Sequence, residues 1–129
     1  MNVAPTDPVL TLAAGLEPLS DKYPRIRSRW IVPPGPDGWS GYAISEWELL
    51  QAGFTDHHPH DENAFVPAGE LHVEVGGLEM VARAEDNIRV PAGKTGKYWA
   101  PTFARMLGIY GPNPGGAPSQ YLEYWEIAD

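Results

Sequence analysis

Seven consecutive residues, Asp56-His57-His58-Pro59-His60-Asp61-Glu62, supply six side chains able to bind a metal or move a proton, and they contain three of the four His residues in the chain. Imidazole and carboxylate together suit a metal centre or general acid–base work; the bland alternative is a solvated loop between strands. In an extended segment Asp56, His58, His60 and Glu62 share one face. A straight strand would set Asp56 and Glu62 about 20 Å apart, whereas ligands of one ion lie about 2.0–2.2 Å from it. The chain must therefore turn inside the cluster, and Pro59 is where a turn comes most easily. Turning there is expected to return Glu62 to His58 and Asp56 and to throw His60 outward. One His and two carboxylates with water suit Fe, Mn, Ni or Zn. Without a metal, Glu62 in a partly apolar mouth has a raised pKa and exchanges protons near neutrality. His58 is the first candidate ligand, then Glu62 and Asp56, with His60 and His57 in reserve. Each has a plainer alternative: a hydrogen-bonded core histidine at His58, a turn former at Asp56, and an ion pair from Glu62 to Arg83, Arg89 or Arg105.

The elements that position this cluster read as strands. Gly and Pro number 14 each, too many for a helical bundle, and 43% hydrophobic residues with five Trp and six Tyr exclude disorder. Arg25–Val32 alternates; its Arg25, Arg27 and Arg29 read as a charged strand face, with bidentate capture of a carboxylate as the sharper alternative. Pro33–Gly38 is a loop. Gly41–Leu50, with Tyr42, is a strand candidate in which EWELL could instead start a helix. Leu71–Val75 and Leu78–Ala82 alternate around Gly76-Gly77, a hairpin signature; His72, beside Glu70 and Glu74, is expected to face solvent. Ile88–Val90, Phe103–Tyr110 and Tyr121–Ile127 complete eight or nine short strands. Tyr121, Glu123, Trp125 and Ile127 are expected on one face of the last. An all-β double-sheet jelly roll disposes of the edges of such strands. Residues 1–24, with four prolines, read as an arm in which Leu10–Leu16 could form a helical turn or edge strand; residues 25–129 read as the barrel domain.

Those strands frame two runs that resemble the motifs of the cupin superfamily. The first motif has two His one residue apart, then a Glu and a Gly; His58, Glu62 and Gly69 match it, with Asp56 at the first His. The second has a Gly, Pro-x-Gly and a His. Asp86–Gly93 resembles it through Pro91-Ala92-Gly93, with Glu85 at the Gly and Gly96 at the His, so the fourth family ligand is missing. Residues 40–112 carry the resemblance. Lys94–Trp99, Ala100–Arg105 and Tyr110-Gly111-Pro112 are similar to cupins of the ethanolamine-utilisation Q and ureidoglycine-aminohydrolase-like groups. The resemblance implies a double-stranded β-helix barrel with an internal pocket. There, His58 and Glu62 would be catalytic, and Asp56, His58, Glu62 and His60 would hold a divalent first-row metal. Tyr98, Trp99 and Tyr42 would contact a small oxygenated substrate in isomerase, lyase or hydrolase chemistry. The alternative is a non-catalytic binding module for a small acid or sugar; an accessory subunit of a larger assembly is a third.

Charge narrows the partners. Nine Lys and Arg face 17 Asp and Glu, net −8, which disfavours nucleic acid and anionic lipid. The absence of Cys removes thiolate chemistry. Met1–Leu12 lacks a basic n-region and a long apolar run, and no apolar stretch is long enough to span a membrane, so a soluble cytoplasmic protein is expected. The Pro-rich arm has no core of its own, and a homodimer is expected from that.

Overall fold

The structure is a computed structural model and describes residues 7–128. Its nine strands are β1 (Glu17–Pro18), β2 (Ile26–Val32), β3 (Ala43–His57), β4 (Glu62–Gly69), β5 (Leu71–Val75), β6 (Leu78–Ala82), β7 (Asn87–Val90), β8 (Thr95–Tyr110) and β9 (Gln120–Glu126). All pairings are antiparallel. The two long central strands, β3 and β8, belong to both layers. One layer runs β1-β2-β3-β8-β4-β7; the other is β9-β3-β8-β5-β6. The result is an all-β jelly roll.

The long strands change layer at an irregularity in each. The β3–β8 register slips between Leu50 and Ala52, where Gln51 takes φ of 47°, and the facing step on β8 contains Pro101, which has no N–H to donate. An extra residue bends a strand and increases its twist. The Gln51 carbonyl still accepts from the Ile127 amide at 2.8 Å, so the bend leaves no orphaned acceptor. Alternation then sends Trp47, Leu49, Phe54, Ala64, Val66, Leu71, Val73, Tyr98 and Met106 into one core between the layers. Phe54 stacks between Trp47 at 5.6 Å and Tyr98 at 5.1 Å, which fixes the Tyr98 ring in the interior.

The glycine hairpin forms as its sequence demands, with Gly76 and Gly77 both at positive φ. EWELL lies within β3 and starts no helix; among the described residues no helix is long and apolar enough to cross a membrane. The expected arm makes neither helical turn nor strand at 10–16, and β1 pairs only Glu17 and Pro18 with β2. Its residues 1–6 lie outside the described residues. On β9 a register shift falls opposite Thr55 and Asp56. That shift separates the expected face: Tyr121 turns in beside Asp56, while Glu123 and Trp125 pair with the outward-facing Thr55 and Gly53.

The arginines of β2 serve the fold. Arg29 Nε meets Glu46 at 2.7 Å, Arg105 closes on the same carboxylate, and Arg25 faces Glu126 at 3.6 Å. Burial pushes the Glu46 carboxyl up, but the two guanidiniums prevail and hold it below the usual carboxylate range.

Candidate active site

The end of β3 and the start of β4 carry the candidate residues, and the chain reverses between them. β3 ends at His57 and β4 begins at Glu62, with the bend at Pro59 and His60. Four contacts hold the reversal. The Gly93 amide donates to the His58 carbonyl at 2.9 Å and the Gly111 amide to the Asp61 carbonyl at 3.0 Å. Asp61 accepts from the Ala92 amide at 2.9 Å and meets Arg89 at 2.7 Å. The Pro91-Ala92-Gly93 turn is therefore a brace for the first motif, and Gly93 has the positive φ that such a turn needs.

Asp56, His58 and Glu62 converge as the spacing predicts. His58 Nε2 stands 3.5 Å from Asp56 Oδ1 and 3.7 Å from Glu62 Oε2, and all three residues are buried. Arg83, Arg89 and Arg105 pair with Glu70, Asp61 and Glu46 and not with Glu62, so the structural ion pair weighed for that residue is not formed. Tyr98 joins the cluster: its hydroxyl donates to Glu62 Oε1 at 2.8 Å and lies 3.3 Å from His58 Nε2.

His60 departs from expectation. It is buried, not thrown outward, and its ring lies parallel to that of His58 at 5.2 Å. Trp39 at 5.5 Å and Tyr110 at 5.0 Å cover it, so aromatic packing wins over the turn's outward direction. Its Nδ1 bonds the Asp61 carbonyl at 3.2 Å, which leaves the ring beside the ligand cluster. Two of the expected substrate contacts lie elsewhere. Trp99 follows the inward Tyr98 and so faces outward, tilted on His72 at 5.2 Å. Tyr42 precedes β3 and is 60% exposed. His72 is half-buried under Trp99 with Nε2 2.9 Å from Glu70, and not in open solvent.

The His58 tautomer follows from its partners. Nδ1 lies 3.2 Å from the His60 carbonyl, which can only accept, so Nδ1 carries the proton and Nε2 presents a lone pair. Burial keeps this ring and that of His60 below the usual imidazole pKa. The lone pair faces Asp56 Oδ1, a buried oxygen without a hydrogen-bond partner. Two lone pairs in a buried site 3.5 Å apart call for a positive charge between them, a proton or a cation. Burial first, and the neighbouring Glu62 second, push the Asp56 carboxyl up to about 8. Burial pushes Glu62 up to about 7 against the opposing Tyr98 hydrogen bond.

The donors fit a divalent first-row ion in kind. Ligands about 2.1 Å from one ion sit roughly 3–3.6 Å apart, close to the separations at His58, and Asp56 Oδ1 has no competing partner. Among the described residues, however, no three His, Asp or Glu side chains are already drawn up as a cage; the Tyr98 phenol ties up one Glu62 oxygen. The same phenol fills the place of the missing family ligand. A Cβ at Gly96 would stand 2.7 Å from the Tyr98 hydroxyl and 2.6 Å from its ring.

A cleft of about 340 Å³ leads to Asp56 and His58, lined also by Trp30, Trp39, Trp47, Tyr110 and Tyr121. The sequence reading passed over these five aromatics as a pocket. One signal for them was available. Gly108-Ile109-Tyr110 repeats the Gly-x-Tyr of Gly96-Lys97-Tyr98, and a Cβ at Gly108 would meet the Tyr110 hydroxyl at 2.4 Å. In both, the absence of a side chain lets an inward phenol lie back along its strand. Tyr110 bonds Ser45 at 2.7 Å and accepts from Trp47 Nε1 at 3.1 Å.

No family model matches the sequence, and no functionally curated protein matches it either. Solved structures do. An ethanolamine utilization protein Q from Salmonella typhimurium LT2 is 30% identical, with 67% of this chain and 69% of that chain covered and a TM-score of 0.60. An RmlC-like cupin from Shewanella frigidimarina NCIMB 400 is 20% identical over 77% of this chain and 84% of that one, TM-score 0.62. KdgF from a Halomonas species is 15% identical over 78% and 87%, TM-score 0.61. With its first motif folded into the interior of a jelly roll and its second bracing that motif, the chain belongs to the cupin superfamily.

Proposed function

We propose that this cupin is a small-molecule enzyme that carries out metal-assisted acid–base chemistry, of isomerase, lyase or hydrolase type, on a small oxygenated substrate in its cleft. One observation carries the reading: the unpartnered Asp56 oxygen, buried and 3.5 Å from Nε2 of His58. A buried, unsatisfied acceptor costs about 1–3 kcal/mol, and a site that holds one against an imidazole nitrogen is suited to a proton or a cation.

Asp56, His58 and Glu62 would hold an Fe, Mn, Ni or Zn ion. When bound, such an ion polarises a carbonyl or enolate oxygen and lowers the pKa of water. The chain's own residues do the rest. The His60 carbonyl orients His58 through Nδ1, so the lone pair always points inward. Tyr98 holds Glu62 by its Oε1, leaving Oε2 toward His58. The raised carboxyl pKa values allow proton exchange near neutral pH. Trp47, Tyr110 and Tyr121 line the approach to Asp56.

Elemental analysis and calorimetric titration with Mn, Fe, Ni and Zn test the proposal. Stoichiometric binding that His58→Ala abolishes is expected. Wild-type protein that takes up none of these ions, and turns over no oxygenated substrate, would overturn it in favour of a non-catalytic binding module. The proposal places the protein in the cytoplasm and pairs it as a homodimer. Val9, Leu10 and Leu12 on the arm are 71–84% exposed, an apolar stretch suited to a second copy; a monomeric mass by sedimentation would remove that part.

A further inference from the structure

The chemistry of the cleft's ligand can be read from what lines it. Asp56 is the carboxyl on its wall, with Glu62 directly behind, and five aromatic side chains surround the approach: Trp30, Trp39, Trp47, Tyr110 and Tyr121. Among the described residues no Lys or Arg reaches the lining. Five of the nine cations are paired elsewhere. Arg29 and Arg105 close on Glu46, Arg89 on Asp61, Arg83 on Glu70, and Lys97 lies between the outward-facing Trp99 and Trp125 at 5.5 and 5.2 Å.

An anionic ligand entering this cleft finds no guanidinium or ammonium to receive it, in a chain of net charge −8. A neutral ligand gains apolar contact alone. An organic cation gains the negative faces of the rings as well. The rings sit at angles that wall a volume instead of stacking shut: Trp30 stands edge-on to Tyr110 at 5.9 Å and 65°, and Trp39 is tilted 54° on His60. Trp30 is half exposed, at the mouth, where an incoming ligand meets it first.

We propose that the cleft selects small organic cations, of the quaternary ammonium or alkylammonium class, through the aromatic wall headed by Trp30 and Tyr121. The inference uses the cleft of the proposed function, but it rests on different residues. The inorganic ion is held by Asp56, His58 and Glu62; the organic cation is read by the rings above them.

The test compares three probes of one shape: choline, the neutral 3,3-dimethylbutan-1-ol and the anionic 3,3-dimethylbutanoate. Binding is followed by tryptophan fluorescence and calorimetry, on wild type and on Trp30→Leu and Tyr121→Leu. These residues are 50% and 40% exposed, so both variants are expected to fold. Choline should bind about tenfold more tightly than the neutral isostere, the anion should bind most weakly, and each variant should erase most of the preference. Equal binding of choline and the alcohol, or tightest binding of the anion, would overturn the inference. Inorganic metal uptake is measured on the same samples. Metal uptake without cation preference overturns this inference and leaves the proposed function standing. Cation preference in a protein that binds no metal and turns nothing over supports this inference and removes that function.

Discussion

Protein stripped of metal should lose stability as pH rises from 6.5 to 8.5, and Asp56→Asn should remove most of the loss. Burial and Glu62 lift Asp56 to about 8, and burial lifts Glu62 to about 7; unfolded, both titrate near 4. Between those limits the folded chain holds more protons than the unfolded one, so stability falls with pH. The contribution is complete below about pH 4 and is lost as pH rises through the folded values. The buried histidines run the other way. His58 and His60 have lowered pKa values, so they cost stability only below about 6.5, where unfolded imidazole protonates. Above 6.5 the carboxyls are left to act. One proton is worth about 1.4 kcal/mol per pH unit, which gives about 2 kcal/mol between 6.5 and 8. For a domain of this length that is roughly 6–10 °C in melting temperature. Circular dichroism melts after EDTA treatment read it directly. Asp56→Asn should keep only the small slope up to about pH 7 that Glu62 supplies, melt at one temperature above that, and lie above wild type at pH 8.5. Adding a divalent ion should also flatten the wild-type curve, because the ion displaces the protons and stabilises by mass action. A wild-type curve already flat, or a variant that keeps the full slope, would refute the reasoning about the facing lone pairs.

Other changes probe neighbouring contacts. Tyr98→Phe removes the hydroxyl that lowers the Glu62 pKa; Glu62 should titrate higher, and metal uptake at pH 7 should release more protons in calorimetry performed in two buffers. Glu46→Gln should cost about 2 kcal/mol at pH 7 by urea unfolding, since it removes a charged acceptor from Arg29 and Arg105. The Glu46 contribution exists above the usual carboxylate pKa and is lost as pH falls through its lowered folded value, so the variant should lack part of the wild-type acid transition. Gly53→Ala puts a Cβ 2.3 Å from the Trp125 ring and 2.7 Å from the Trp99 Cβ; about 1–3 kcal/mol of destabilisation is expected from such crowding.

Much of this was legible where sequence pattern and local geometry coincide. The glycine hairpin needed only alternation and two residues that accept positive φ. The convergence of Asp56, His58 and Glu62 followed from ligand reach and one proline. Other features depend on contacts distant in sequence. His60 turns inward because Trp39 and Tyr110 cover it, from a loop and from the far end of β8. The run Glu62–Gly69 is a strand because β8 and β7 flank it, although its own alternation is interrupted by Pro67. Residues 51–57 extend β3 beyond Leu50 because β8 and β9 hydrogen-bond it from both sides. The faces of β9 were misread because a single register shift inverts alternation, and nothing in Tyr121–Ile127 announces where the shift falls.

The departures from the cupin motifs act together. Asp56 stands where the family has an imidazole, and Gly96 stands where it has another, with the Tyr98 phenol filling the space above that glycine. Each exchange replaces a donor that is neutral when it binds metal. Asp56 brings a carboxyl, and Tyr98 brings a hydroxyl that burial keeps protonated, its pKa pushed well above the usual phenol value. Beside Glu62 the set can therefore carry two negative charges around one imidazole, and burial makes that state costly without a cation. A shell of that charge binds protons when empty, and under the proposed function a dipositive ion would take their place. The missing histidines thus do not by themselves signal a dead site. They change what its resting state holds, which is why the pH dependence of the metal-free protein reports on the same residues as metal uptake does.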